Sequence, residues 1–139
     1  MPHHHLFMLD TDMCSYIFRC SYPQMLHHLE AHDGALCISS VTAYELLFGG
    51  FKKNSPKLLK WIHLFLHNVQ VVEWDQAVAQ KCACLRAQLE KKGVCVALDD
   101  LMIAATALTV NATLVTNNTR HFQKIPGLLL ENWTADEEN

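Results

Sequence analysis

Short apolar runs that alternate with longer amphipathic stretches constrain this chain more than any other feature. Leu6-Phe7-Met8-Leu9, Ala35-Leu36-Cys37-Ile38, Val69–Glu73, Ala112–Thr116 and Leu128-Leu129-Leu130 each have strand length. Between them, apolar residues recur at helical spacing: Met25, Leu26 and Leu29; then Leu58, Ile62, Phe65 and Val69; then Val78, Cys82, Leu85 and Leu89. The segment Leu101–Val110 is apolar almost all round, as a buried helix is. Strands that alternate with helices must pair in parallel and bury both faces of the sheet. The expected fold is therefore α/β, a three-layer α/β/α sandwich around a parallel sheet.

Local signals set the expected boundaries. Pro23 suits the first turn of a helix that Gly34 ends, and Ser39 or Ser40 caps a helix that Gly49-Gly50 stops. Ser55-Pro56 and Asp75 open two further helices, and Gly93 closes the second. Asp99 or Asp100 starts the apolar helix by capping it. With 139 residues and no linker or repeat, the chain reads as one domain over 1–139 with its core at about 6–133.

Composition removes several classes. Half the residues are apolar and 18% are charged, which excludes a disordered chain. The six cysteines include no Cys-x-x-Cys pair and several lie in apolar runs, so they read as free, mostly buried thiols of a reducing compartment. No apolar run approaches the roughly 18 residues of a membrane span. The opening Met1-Pro2-His3-His4-His5 has no apolar signal core, so a cytoplasmic location is expected; its histidines are either native or a tag remnant. A net charge of −3 argues against nucleic-acid binding unless a local basic patch or a bound cation reverses the field.

Ligands of a doubly wound sheet bind beyond the carboxyl ends of its strands. Asp10 and Asp12, Asp99 and Asp100, and Asn117 and Asn118 all stand at such junctions, and Glu45 lies on the helix after the second run. Each acid has an ordinary alternative role in a turn or cap. For Glu45 that role is a capping box with Thr42, which is weaker because Ser39 and Ser40 are better placed to cap; Val41, Tyr44, Leu46 and Phe48 around Glu45 are apolar, and a carboxylate there needs a balancing cation or hydrogen bonds. Carboxylates gathered in one cleft repel unless a cation sits among them, and oxygen donors favour Mg²⁺ or Mn²⁺. Lys52, Lys53 and Arg120 are the candidate phosphate-binding rim. His28/His32 and His63/His67 are i, i+4 pairs without a third ligand and read as solvated helix faces.

The motifs Phe7-Met8-Leu9-Asp10-Thr11-Asp12, Ile38–Leu46, Asp100–Ala105 and Leu114–Phe122, in that order, resemble the PIN-domain nucleases. Pro126-Gly127-Leu128 with Glu131-Asn132-Trp133 extends the likeness toward VapC-like toxins of bacterial toxin–antitoxin pairs. The resemblance implies an endoribonuclease with an RNA substrate, a cognate antitoxin and a homodimeric state. It implies Asp10, Glu45 and Asp100 as acidic metal-site residues, with Thr11 and Thr116 as nearby hydroxyls. Asn118 stands where many PIN domains have a fourth Asp, and His121 where related toxins often have Glu, so a one-metal site is expected, with Asp99 and Asn118 as further candidates. Two other readings compete. Asp10-Thr11-Asp12 after an apolar strand imitates a haloacid-dehalogenase-like phosphatase, with Asp10 as nucleophile and Asp12 as acid. Asn118 is the argument for a catalytically silent PIN-fold binding module.

Overall fold

The computed structural model describes residues 5–135; His3 and His4 lie outside them. The order is β1 (Phe7–Leu9), α1 (Thr11–Arg19), α2 (Met25–Ala31), β2 (Leu36–Ser39), α3 (Ser40–Lys52), α4 (Pro56–Asn68), β3 (Gln70–Val72), α5 (Gln76–Lys91), α6 (Leu98–Thr109), β4 (Thr113–Val115), α7 (Thr119–Phe122) and β5 (Leu129–Glu131). The five strands form one parallel sheet in the order β3-β2-β1-β4-β5. The chain winds outward from β1 on one side and returns to its other side at β4. The switch point is thus at β1, and Asp10 and Thr11 follow it directly.

The pleat sends alternate residues to opposite layers. Met8, Cys37 and Leu114 pack with Leu85 and Leu89 of α5 and Ile103 and Ala104 of α6. Leu9, Ile38 and Val115 pack with Met13, Met25, Leu46 and Ile62 of the helices opposite. Each strand of the sheet's centre is buried on both faces, which is why the sequence shows short continuous apolar runs rather than alternation. Cys14, Cys37 and Cys82 are buried free thiols, while Cys20, Cys84 and Cys95 are exposed. Burial pushes the Cys37 thiol up to about 12, so it packs as an apolar side chain.

Several boundaries differ from expectation for identifiable reasons. Gly49-Gly50 does not stop α3, which continues to Lys52. Gly50 is explained by packing: a Cβ there would meet Leu59 Cδ2 at 2.7 Å and Ile62 Cδ1 at 3.1 Å, so the missing side chain lets α4 approach. Gly49 faces open space. Gly49→Ala should therefore stabilise the fold by about 0.5–1 kcal/mol through helix propensity. Gly50→Ala should lose that gain to the clash with Leu59, and urea denaturation of the two variants separates them. Leu26 is 59% exposed although its helical spacing points it inward. Asp99 and Asp100 do not cap α6. Ala97 takes the cap position without a side-chain bond, and both acids fall in the first helical turn.

The histidine pair on α2 is not a solvated face. His28 and His32 stack on the Trp133 indole, at 5.1 Å and 6° and at 5.2 Å and 10°. Asn132 and Thr134 continue this closure. Thr134 Oγ1 donates to Asn117 Oδ1 at 3.1 Å, and Asn117 Nδ2 donates to the Tyr16 hydroxyl at 3.2 Å. The segment after β5 thereby pins α1, α2 and the loop after β4 together.

Candidate active site

Asp10 is 6% exposed and directly follows the central strand. Its Oδ1 accepts the Met13 N–H at 2.9 Å, so it is the N-cap of α1. The turn reading and the site reading therefore describe the same residue. Burial pushes its carboxyl from the ordinary 3.8 up to about 6. The Thr116 hydroxyl and the Met13 N–H pull it back, and Asp12 and Asp100 push it further up.

Glu45 reaches the same edge from α3. The Thr11 hydroxyl donates to its Oε1 at 2.6 Å and lies 3.2 Å from Thr42 Oγ1. Burial raises the Glu45 carboxyl; Thr11 lowers it, and Asp99 and Asp100 raise it again. The expected apolar surroundings of Glu45 are corrected here: Tyr44 is 66% and Phe48 54% exposed, and Glu45 turns toward Thr11 and the acids of α6. Asp100 is raised first by burial and then by Asp99, lowered by His121, and raised by Asp12. Each acid thus feels its neighbours, and the cluster includes Asp99 and Asp12 as well as Asp10, Glu45 and Asp100.

The other candidates divide. Thr116 is fully buried and its Oγ1 accepts the Asn118 N–H at 3.0 Å, which fixes the loop after β4 beside Asp10. Asn118 heads α7, is exposed, and makes no side-chain capping bond. Lys53 lines a cleft of about 330 Å³ with Thr11, Asp12, Ser15, Arg19 and Glu45. Lys52 instead holds its ammonium 5.9 Å from the centre of the Phe48 ring. Arg120 is exposed on α7. Sequence reasoning misses Arg19, although Asp12, Ser15 and Arg19 recur at i, i+3 and i+7, the signature of one helix face. A second cleft, of about 510 Å³, lies on the other side of Glu45 and is lined by Tyr44, Trp74, Leu98, Asp99 and Met102. Its walls are mostly apolar, whereas the first cleft carries charges of both signs, Asp12 and Glu45 with Arg19 and Lys53.

These donors suit a hard divalent ion in kind: several carboxylates and hydroxyls on one edge, each carboxylate strained by its neighbours' charge. Among the described residues no three Asp, Glu, His or Cys side chains close on a single ion-sized point. At the same edge His121 Nε2 lies 3.2 Å from Asp100 Oδ2.

Comparison with known proteins agrees with this geometry. The family model described as PIN domain matches residues 7–128. Ribonuclease VapC2 of Rickettsia felis is 35% identical over 131 residues, covering 92% of this chain and 98% of that one. The tRNA(fMet)-specific endonuclease VapC of Shigella flexneri is 36% identical over 129 residues, covering 92% of this chain and 98% of that one. In the crystal structure of DNA-bound VapBC from Salmonella typhimurium, a chain 33% identical superposes with a TM-score of 0.89 over 94% of this chain and 99% of its own length.

Proposed function

The chain belongs to the PIN domain family, and from that membership we propose that it is a divalent-metal-dependent endoribonuclease, the toxin of a toxin–antitoxin pair. The observation that carries this reading is the gathering of Asp10, Asp12, Glu45, Asp99 and Asp100, from three separate stretches of chain, at the carboxyl edge of the sheet. Hydrolysis of a phosphodiester joins a water oxygen to phosphorus and breaks one P–O ester bond. A divalent ion, Mg²⁺ or Mn²⁺, supplies when bound the neutralisation of phosphate charge and the activation of water that this requires. Asp10, Glu45 and Asp100 are the residues that would hold it.

The chain's own groups prepare that site. Thr11 holds Glu45 Oε1 and the Met13 N–H holds Asp10 Oδ1, so each carboxylate is anchored through a defined oxygen. Arg19 and Lys53 offer cations along the adjoining cleft, where a polyanion must pass an otherwise acidic surface. In a cleavage-dead Asp100→Asn background, Arg19→Ala with Lys53→Ala should weaken RNA binding. It should also flatten the slope of log affinity against log salt by about 0.7 for each phosphate no longer neutralised. Arg120→Ala in the same background tests the other end of the rim, and an unchanged slope in both would place the phosphate grip elsewhere.

An antitoxin partner is supported by the solved relative, a VapBC assembly. It is supported also by a groove of about 700 Å³ between α1 and α4, lined by the half-buried Phe18 and the exposed Trp61 and Leu64. Uncovered apolar surface of this kind is suited to a protein partner. The phosphatase reading leaves Glu45 without a role, although Glu45 is part of the cluster, and it is not favoured. The deciding assay incubates EDTA-stripped protein with RNA, tRNA(fMet) included, and separately with a phosphomonoester, with and without Mg²⁺ or Mn²⁺. Metal-dependent RNA cleavage is expected. Phosphomonoester turnover alone would restore the phosphatase, and neither activity would leave a binding module.

A further inference from the structure

Glu45 and Asp99 border a cleft whose other walls are aromatic and aliphatic. Ser39 of β2 pairs with Val72 of β3, so the two strands end together. Trp74, two residues beyond β3, therefore stands at the same carboxyl edge of the sheet as Asp10. Its backbone N–H donates to Ser40 Oγ at 3.1 Å, which ties it to the first turn of α3. Tyr44 lies one turn along that helix, immediately before Glu45. The space of about 510 Å³ that they line with Leu98 and Met102 is in the range of small-ligand sites. Tyr44 is 66% exposed, Leu98 53% and Trp74 38%, a concentration of uncovered large side chains that marks a binding surface. Tyr44 also stacks on Phe48 at 6.4 Å and 21°, and the Lys52 ammonium lies 5.9 Å from the Phe48 ring, so the aromatic row on α3 ends at a cation.

We propose that this cleft stacks an unpaired base of single-stranded RNA beside the bond to be cut, with Trp74 and Tyr44 as the aromatic faces. The inference rests on the ribonuclease reading above and deepens it by naming the part of the substrate that each cleft takes. The charged groups lining this cleft are the Glu45 and Asp99 carboxylates, which repel a phosphate but admit a neutral base. The neighbouring cleft holds Arg19 and Lys53 and suits the phosphates. Glu45 lines both, so a strand laid across the acids reaches both. Proteins that bind single-stranded nucleic acid combine the same two elements, cations along the backbone and aromatic rings under the bases. The other candidate occupant is a second copy of the chain, because Trp74, Leu98 and Met102 continue onto Ala79 and Ala83 of α5. A two-fold contact centred on this cleft sets Glu45 and Asp99 of one protomer against the same acids of its partner, a repulsion that a base avoids.

The test uses the full chain in the cleavage-dead Asp100→Asn background, at fixed salt with Mg²⁺ present. The probes are an oligoadenylate dodecamer, an abasic RNA dodecamer of the same backbone, and the oligoadenylate with one central 2-aminopurine, whose fluorescence is quenched by stacking. Trp74→Leu and Tyr44→Leu are compared with the parent, with thermal unfolding of each to establish that it folds, and Lys53→Ala serves as the phosphate control. Each aromatic variant should bind oligoadenylate at least about fivefold more weakly and the abasic strand as tightly as the parent does. Trp74→Phe, which keeps a ring, should retain most of the affinity, and Lys53→Ala should weaken both strands alike. The 2-aminopurine should be quenched on binding to the parent, a readout that needs no variant, and the quench should be relieved in Trp74→Leu. Equal losses for the two strands, unchanged affinity in both aromatic variants, or a bound 2-aminopurine that stays bright on the parent overturns the proposal. So does sedimentation that finds the parent dimeric and Trp74→Leu monomeric, since a second copy then covers the cleft. If the parent binds neither strand and the wild type cleaves no RNA with Mg²⁺ or Mn²⁺, the ribonuclease reading itself fails and this inference with it.

Discussion

Asp10→Asn should abolish RNA cleavage and, in the absence of metal, make the protein more stable at neutral pH. The first effect follows from its place at the switch point of the sheet. Loss of a group that merely orients a metal ligand typically costs 10–100-fold, so loss of Asp10, proposed above to hold the ion, should cost at least about 100-fold. The second effect follows from burial. The Asp10 carboxyl, 6% exposed, is pushed from 3.8 to about 6, chiefly because the charged form is desolvated. A group whose folded pKa is raised favours the native state fully below its unfolded value. That contribution is lost as pH rises through the folded value. The window here runs from about 3.8 to about 6, and the full shift corresponds to about 3 kcal/mol. Asparagine keeps the carbonyl oxygen that caps α1 through Met13 and never ionises. With EDTA present, urea denaturation should show wild-type stability declining between about pH 4 and pH 7. Asp10→Asn should stay level, ahead by about 1–3 kcal/mol at pH 7 and close to equal at pH 4. Added Mn²⁺ should raise the wild type and leave the variant unmoved. A variant that is less stable than the wild type at pH 7 would show that the charge of the cap outweighs its desolvation.

Trp133→Ala should cost about 3–5 kcal/mol, the range for truncating a large buried aromatic. Trp133 is 1% exposed, and its indole is covered by His28 and His32 of α2 and approached by Phe7 of β1 at 5.7 Å. Its Nε1 donates to Glu131 Oε1 at 2.9 Å, so the polar end of the ring is satisfied as well. Truncation removes the packing that fastens α2 to the sheet and leaves a void that the short strand β5 cannot fill. Trp133→Phe should cost less, since most of the apolar packing survives and the loss centres on one hydrogen bond. Chemical denaturation of both variants checks the order. Equal losses would mean that the bond to Glu131, rather than packing, fastens the C-terminal segment. A secondary loss of RNA cleavage is expected in Trp133→Ala, because Thr134 holds Asn117 and through it the loop beside Asp10.

The architecture was legible because period and length are local properties. The stripe Val78, Cys82, Leu85 and Leu89 is buried as its spacing requires, and the five apolar runs are the five parallel strands. Caps that depend on one side chain and the next turn were legible too: Ser39, Ser55 and Asp75 each accept the backbone N–H expected of them. The errors fall where a neighbour from elsewhere in the chain decides. Gly50 reads as a helix stop until α4 is seen packed on it. Asp99 and Asp100 read as caps, but α6 already begins at Leu98 and takes both acids into its first turn.

The candidate site divides along the same line. The residue types alone placed acids at strand ends, and motif order tied Asp10, Glu45 and Asp100 to one family. Nothing local could say that Thr11 would hold Glu45, that Asp99 would press on it, or that Arg19 and Lys53 would share a cleft with Thr11 and Glu45. The approach of His121 Nε2 to within 3.2 Å of Asp100 Oδ2 is equally invisible in the sequence, since the two residues stand on different helices. The sequence by itself determined the layers, the strand count and the acids that stand at strand ends, because hydrophobic periodicity and residue chemistry act over a few neighbours. Only the tertiary structure decided which groups face one another, because burial and charge coupling depend on distances that are set when the sheet closes and brings α1, α3, α6 and α7 to one edge.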